Sequence, residues 1–175
     1  MVYNNYMNSG YKVGDKILVI NIGVCLISDI ETKDFGNGEK SYYILHPIFK
    51  NCNDRIMIPV ENTKNIRDLV DKEVASKVYS NFEIYENYWV KNPRERKEYF
   101  LSLLNSGDIF KIKNLYLTLQ NKKAELLNNK KLLNTTDKYV LDSVIKSLSE
   151  EISVVLELDY NETFDKLSNF YLGLI

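Results

Sequence analysis

Trp89 is the only tryptophan in the chain, and it stands in the segment Tyr85-Glu86-Asn87-Tyr88-Trp89-Val90-Lys91-Asn92-Pro93-Arg94-Glu95-Arg96-Lys97. Two tyrosines and four cations share that segment, set against Glu86, Glu95 and the following Glu98. A flat ring beside arginine and lysine is what a protein needs to touch distorted DNA. The cations neutralise phosphates while the ring stacks on, or inserts beside, an unstacked base. The same residues also fit a tryptophan that plugs the joint between two domains. Residue types alone leave both readings open.

Other chemistries lack material. There is one histidine, His46, so a Ser-His or Cys-His pair or a multi-histidine zinc site is not expected. His46 lies in the apolar run Tyr42-Tyr43-Ile44-Leu45-His46-Pro47 and reads as a satisfied or edge histidine. Gly36-Asn37-Gly38 lacks the rest of a dinucleotide fingerprint and reads as a turn. Carboxylates are scattered over presumed helix surfaces, where solvated charge is their ordinary role. No catalytic residue, metal ligand or cofactor is therefore nominated, and enzyme activity is not expected. Cys25 and Cys52 follow no framework or CxxC spacing, which fits a reducing cytoplasm.

The elements that must position Trp89 follow from length and patterning. At 175 residues the chain suits one medium domain or two small ones. Its 45% hydrophobic and 27% charged residues are ordinary for a globular protein and argue against wholesale disorder. Lys and Arg total 23 against 24 for Asp and Glu, so only local charge can point to nucleic acid. No run approaches the roughly 20 apolar residues of a membrane-spanning helix. Met1 to Gly10 is polar and Asn-rich, so residues 1–10 read as a flexible tail and not as a signal peptide.

Before residue 70, runs rich in Ile, Val and Tyr alternate with turn signals. They are Lys16 to Ile20, Val24 to Glu31, Ser41 to Ile48 and Arg55 to Val60. Gly14-Asp15, Asn21-Ile22-Gly23, Asp34 to Gly38 and Asn51 to Asp54 punctuate them. Four or five short strands predict a small antiparallel β-barrel or curled sheet over residues 11–69. After it the period becomes helical. A short helix is predicted over 71–81, and Asn92, Pro93 and Glu95 give the next one an N-cap, a first-turn proline and a capping glutamate. Ser106-Gly107-Asp108 stops that helix and caps its successor, whose Ile109, Ile112, Leu115 and Leu119 should face inward, leaving Lys111, Lys113, Lys122 and Lys123 outside. Asn134 with Asp137 opens a further helix, and Tyr160 to Leu174 should close the chain with another. The expected fold is α+β in two domains, with a compact all-α helical domain over 70–175. Charge in that half is segregated: six lysines face Glu125 alone over 109–131, whereas three lysines face eight acids over 132–175.

The ordered motifs resemble the CarD/CdnL family of bacterial RNA-polymerase-binding transcription regulators over most of the chain after residue 10. They are Tyr11-Lys12-Val13-Gly14-Asp15-Lys16-Ile17, Ile30-Glu31, Tyr42-Tyr43-Ile44-Leu45, Ile56-Met57-Ile58-Pro59-Val60-Glu61-Asn62 and Ile66-Arg67. A tryptophan with following basic residues and Leu103-Leu104-Asn105-Ser106-Gly107-Asp108 complete the set. The resemblance implies a Tudor-like RNA-polymerase interaction domain, shared with transcription-repair coupling factor, that grips the lobe of the polymerase β subunit by strand-edge contact. The family's contact positions fall on Lys33, Met57 and Pro59, with Arg55 beside them. As plain structure, Met57 would be a core residue and Pro59 a strand terminator. The family's helical domain touches promoter DNA at the upstream edge of the transcription bubble. By resemblance, Trp89 is the wedge there and Lys91, Arg94, Arg96 and Lys97 are the phosphate contacts. The implied role is non-enzymatic stabilisation of the open complex. Two departures stand out: Val19-Ile20-Asn21-Ile22-Gly23 keeps only the glycine of the family's Tyr-Pro-x-His-Gly turn, and Val90-Lys91 replaces an Arg-Arg pair. The competing reading is a protein-interaction module that never meets DNA, and exchange of an edge strand between two copies would give a homodimer.

Overall fold

In the computed structural model, residues 10–36, 38–49, 54–81 and 86–170 are described. Cys52, Tyr85, the tail before Gly10 and the end of the last expected helix lie outside them. The chain divides into two units, Met1–Asp68 and Leu69–Ile175.

The first unit is a five-stranded antiparallel sheet. Its strands are β1 (Lys16–Val19), β2 (Gly23–Asp34), β3 (Glu39–Pro47), β4 (Ile56–Pro59) and β5 (Ile66–Asp68), in the order β4-β3-β2-β1-β5. Side chains alternate across it. Ile17, Val19, Cys25, Ile27, Tyr43, Leu45 and Ile66 point to one face and form the core, with Ile56, Ile58 and Val60 packed against them. Tyr11 closes one end: its N–H donates to Tyr43 Oη at 3.1 Å and the two rings meet edge to face. The β2–β3 register shifts between Ile27 and Asp29, a bulge that bends the long strand.

The expected barrel is not closed. Among the described residues β4 pairs only with β3 and β5 only with β1, so both are edges of the sheet, and residues 60–65 carry the chain from one to the other. Closure needs a continuous, staggered ladder all round, and edge strands of four and three residues offer little of one. β5 was not among the expected runs; it is too short for its alternation to register.

The second unit holds α1 (Lys72–Ser80), α2 (Pro93–Leu104), α3 (Ile109–Asn128), α4 (Thr135–Leu156) and α5 (Tyr160–Ser168). The caps are those the sequence announces. Asn92 Oδ1 accepts from Arg94 N and Glu95 N, Asp108 Oδ1 from Phe110 N and Lys111 N, and Asn134 Oδ1 from Asp137 N. Each satisfies amides that have no partner within the helix. Gly107 turns the chain between α2 and α3 at φ 67°, where a side chain would be strained. Phe100, Leu103, Leu115, Leu119, Val140, Val144, Leu148 and Ile152 build the core. The first turn of the chain into this unit is fixed by Glu151 of α4, whose carboxylate accepts from Val70 N at 3.1 Å.

Lys113 departs from expectation: it is 4% exposed. The spacing assumed a helix with one outer face, but α3 packs against α1, α2 and α4 and is buried continuously from Ile112 to Gln120. Tyr116 and Leu117, off the expected stripe, are core for the same reason. Among the described residues no helix is long and apolar enough to cross a membrane, and no cluster of three or more His, Cys, Asp or Glu is arranged to hold a metal ion.

Candidate functional site

The residues expected to act fall in two places, one in each unit. In the sheet, Ile56 and Ile58 turn to the core, so the alternating Arg55, Met57 and Pro59 fall on the opposite face. Met57 is thus not part of the core. Its partner across the ladder is Ile44, and Pro59 lies opposite Tyr42, which in turn lies opposite Glu31 of β2. Glu31 ties the face together. Its Oε2 is 2.9 Å from Lys33 Nζ, and its Oε1 accepts from Arg55 Nη2. The lysine hydrogen bond lowers the Glu31 pKa, desolvation opposes it, and the Arg55 charge lowers it further. Beyond it Phe35, largely exposed, sits edge to face on Tyr42 at 5.6 Å. The structure therefore brings Lys33, Arg55, Met57 and Pro59 onto one face beside a sheet edge.

The edge itself has a definite polarity. Val60 N donates to Ser41 O at 2.9 Å, which sets the alternation of the antiparallel ladder: Ile56, Ile58 and Val60 turn their amides towards β3, and Met57 and Pro59 turn theirs away. Proline has no N–H to lose, so Pro59 costs the ladder nothing at an outward position. Within β4 the outward N–H belongs to Met57.

The charge link carries a testable pH dependence. A carboxyl whose pKa is lowered by folding contributes stability above its unfolded value and loses it as pH falls through the folded value. Glu31→Gln should therefore flatten the acid limb of unfolding while changing neutral stability little, because the pair is solvent-screened. Carbon-detected NMR titration of the Glu31 carboxyl checks this: its midpoint should fall below the ordinary glutamate value and move back towards it in Lys33→Gln.

In the helical unit, Trp89 lies in the irregular stretch before α2. It is half-buried and packs against the core of its own unit, 6.2 Å from Phe100 between ring centroids. The Arg96 guanidinium carbon lies 4.2 Å from the ring centroid and Lys122 Nζ 5.0 Å, both over the ring. Lys122 also pairs with Glu125 at 2.7 Å. Lys91, Arg94 and Lys97 are exposed, and Arg94 makes only a 3.5 Å pair with Glu98.

Arg96 does not belong with them. It is 4% exposed, and its Nε and Nη2 donate to the two oxygens of Asp137 at 3.0 and 2.8 Å. Its Nη1 donates to Val90 O and Lys91 O at 2.8 and 3.1 Å. Four of the five guanidinium N–H donors are thereby engaged. The phosphate role expected for Arg96 is corrected accordingly. The reason is helical phase: with α2 starting at Pro93, residue 96 shares the inward face with Phe100 and Leu103, whereas 94 and 97 turn out. That phase was a readable signal. Asp137 was missed as the partner of Arg96, and Lys122 as a neighbour of Trp89, because residues 41 and 33 positions apart leave no local pattern.

Together the two places define a two-unit α+β protein built around a sheet edge and a cation-flanked tryptophan. Residues 11–70, about a third of the chain, match the family model described as CarD-like/TRCF RID domain, so it is the first unit that is similar to the CarD-like family. The chain is also 24% identical over 147 residues to "Putative transcription factor YdeB" of Bacillus subtilis (strain 168), a match covering 83% of this chain and 92% of that protein, so it runs well into the helical unit.

Proposed function

We propose that the chain is a non-enzymatic transcription regulator. It binds the lobe of the RNA polymerase β subunit through its first unit and contacts promoter DNA at the upstream edge of the bubble through its second. The observation that carries the reading is the match of residues 11–70 to the CarD-like/TRCF RID domain, with Arg55, Met57 and Pro59 beside the β4 edge of the sheet as described. An edge strand supplies main-chain hydrogen bonds for a partner strand, and the side chains beside it select which partner. On the DNA side, Trp89 is the wedge, and Lys91, Arg94 and Lys97 are the phosphate contacts. A protein that binds melted promoter better than closed promoter shifts that equilibrium by its differential affinity, one decade for about 1.4 kcal/mol.

Affinity of the full chain for a forked duplex, measured against salt, tests the DNA half. Arg94→Gln and Lys97→Gln should each reduce the logarithmic salt slope by about 0.9 while weakening binding to all sequences alike. A flat salt dependence in the wild-type protein overturns it. That outcome would favour a second reading, a polymerase-bound protein-interaction module without DNA contact. The packing of Trp89 against Phe100 favours this reading, since the ring already has a place in its own unit.

A further inference from the structure

We propose that Arg96 and Asp137 form a positioning clamp that fixes the height and orientation of the Trp89 ring, so that Arg96 serves DNA contact without touching DNA. The inference rests on the reading of Trp89 as the wedge.

Residues 86–92 have no regular secondary structure, so no ladder holds the ring in place and each backbone group needs its own partner. Those partners are specific. On one side of Trp89, Tyr88 N donates to Thr118 Oγ1 of α3 at 3.2 Å. On the other, the carbonyls of Val90 and Lys91 converge on Arg96 Nη1. The same guanidinium lies over the indole. Its plane is set by the two-point bond to Asp137, because parallel N–H donors and paired carboxylate oxygens fix orientation as well as distance. Asp137 is itself held: Asn134 Nδ2 donates to its Oδ2 at 2.7 Å, and its own N–H is capped by Asn134 Oδ1. A rigid path therefore leads from the start of α4 through Asp137 and Arg96 to the main chain and the ring of Trp89. A ring held in its binding pose loses less freedom when it engages a base, which strengthens binding without any added contact.

The clamp and a simple phosphate contact give opposite signs. If charge governed, Asp137→Asn would tighten DNA binding, by removing an anion and releasing Arg96, and Arg96→Lys would be nearly neutral. If the clamp governs, both weaken binding to a forked duplex about fivefold or more, the lower range for losing one base–aromatic stack, with the salt slope unchanged. As the only tryptophan, Trp89 reports its own surroundings. In both full-length variants its emission should move to the red and its quenching by acrylamide should rise, with helix content by circular dichroism retained. Asp137→Glu keeps the charge at a different reach, and it should shift the emission too if Asp137→Asn fails to fold. Wild-type emission in Arg96→Lys and Asp137→Glu, or tighter DNA binding in Asp137→Asn, overturns the clamp. Trp89→Ala in the same assay separates the two claims. Unaltered DNA affinity there removes the wedge reading, whereas the emission shifts still decide whether Arg96 and Asp137 position the ring.

Discussion

Asp137→Ala should cost the helical unit about 3–5 kcal/mol, the usual effect of removing one partner from a buried ion pair. Against a domain stability of roughly 5–15 kcal/mol this is a large fraction. Both side chains of the pair are 5% exposed. Without the carboxylate, the Arg96 charge stays desolvated with only two carbonyls for partners. The start of α4 loses an acid from its first turn as well. Urea unfolding followed by Trp89 emission reads this unit directly. The midpoint should fall with the slope unchanged, because the surface exposed on unfolding is the same. A loss under about 1 kcal/mol would mean that water reaches the pair and that it is a surface bridge in energetic terms. Replacing both partners together, Arg96→Met with Asp137→Leu, should recover most of the loss, since an apolar pair needs no counter-charge.

Trp89→Ala is expected to weaken binding to a forked promoter by about 5–150-fold, which is the roughly 1–3 kcal/mol of one base stacked on an aromatic ring. Open-complex lifetime should shorten in the same direction, because the stack is available only when the duplex has parted. Affinity for the polymerase lobe should stay as in the wild type, since that contact is assigned to the other unit. Part of any stability change would come from uncovering Phe100 and Arg96. Trp89→Phe is the control, keeping an aromatic face over both. Equal open-complex lifetimes in all three proteins would contradict the wedge.

Much of this architecture is legible in the sequence because its signals are local. Asn92, Asp108 and Asn134 cap helices through hydrogen bonds spanning two or three residues, so residue types one turn apart suffice to place them. The strands are legible for the same reason, since runs rich in Ile, Val and Tyr and the turn residues between them can be read without reference to a partner. Closure of the sheet is not local: it depends on whether β4 and β5 find each other, and they do not pair. The Glu31–Arg55 link and the Arg96–Asp137 fork join residues 24 and 41 positions apart, with nothing in the intervening sequence to announce them. Lys113 and Arg96 were misplaced for a related reason. A charged residue is expected outside by default, and only helical phase against the neighbouring helices overrides that default.

The grip of the first unit on RNA polymerase is the claim on which the rest depends. Isothermal titration of the full chain against the isolated lobe of the polymerase β subunit tests it most directly, with Met57→Glu and Arg55→Glu as partners in the comparison. Saturable binding by the wild type and by Trp89→Ala, with loss in both β4-edge variants while their circular dichroism is unchanged, is the predicted result. A folded wild-type chain that gives no heat with the lobe, or edge variants that bind it as well as the wild type does, would contradict the account.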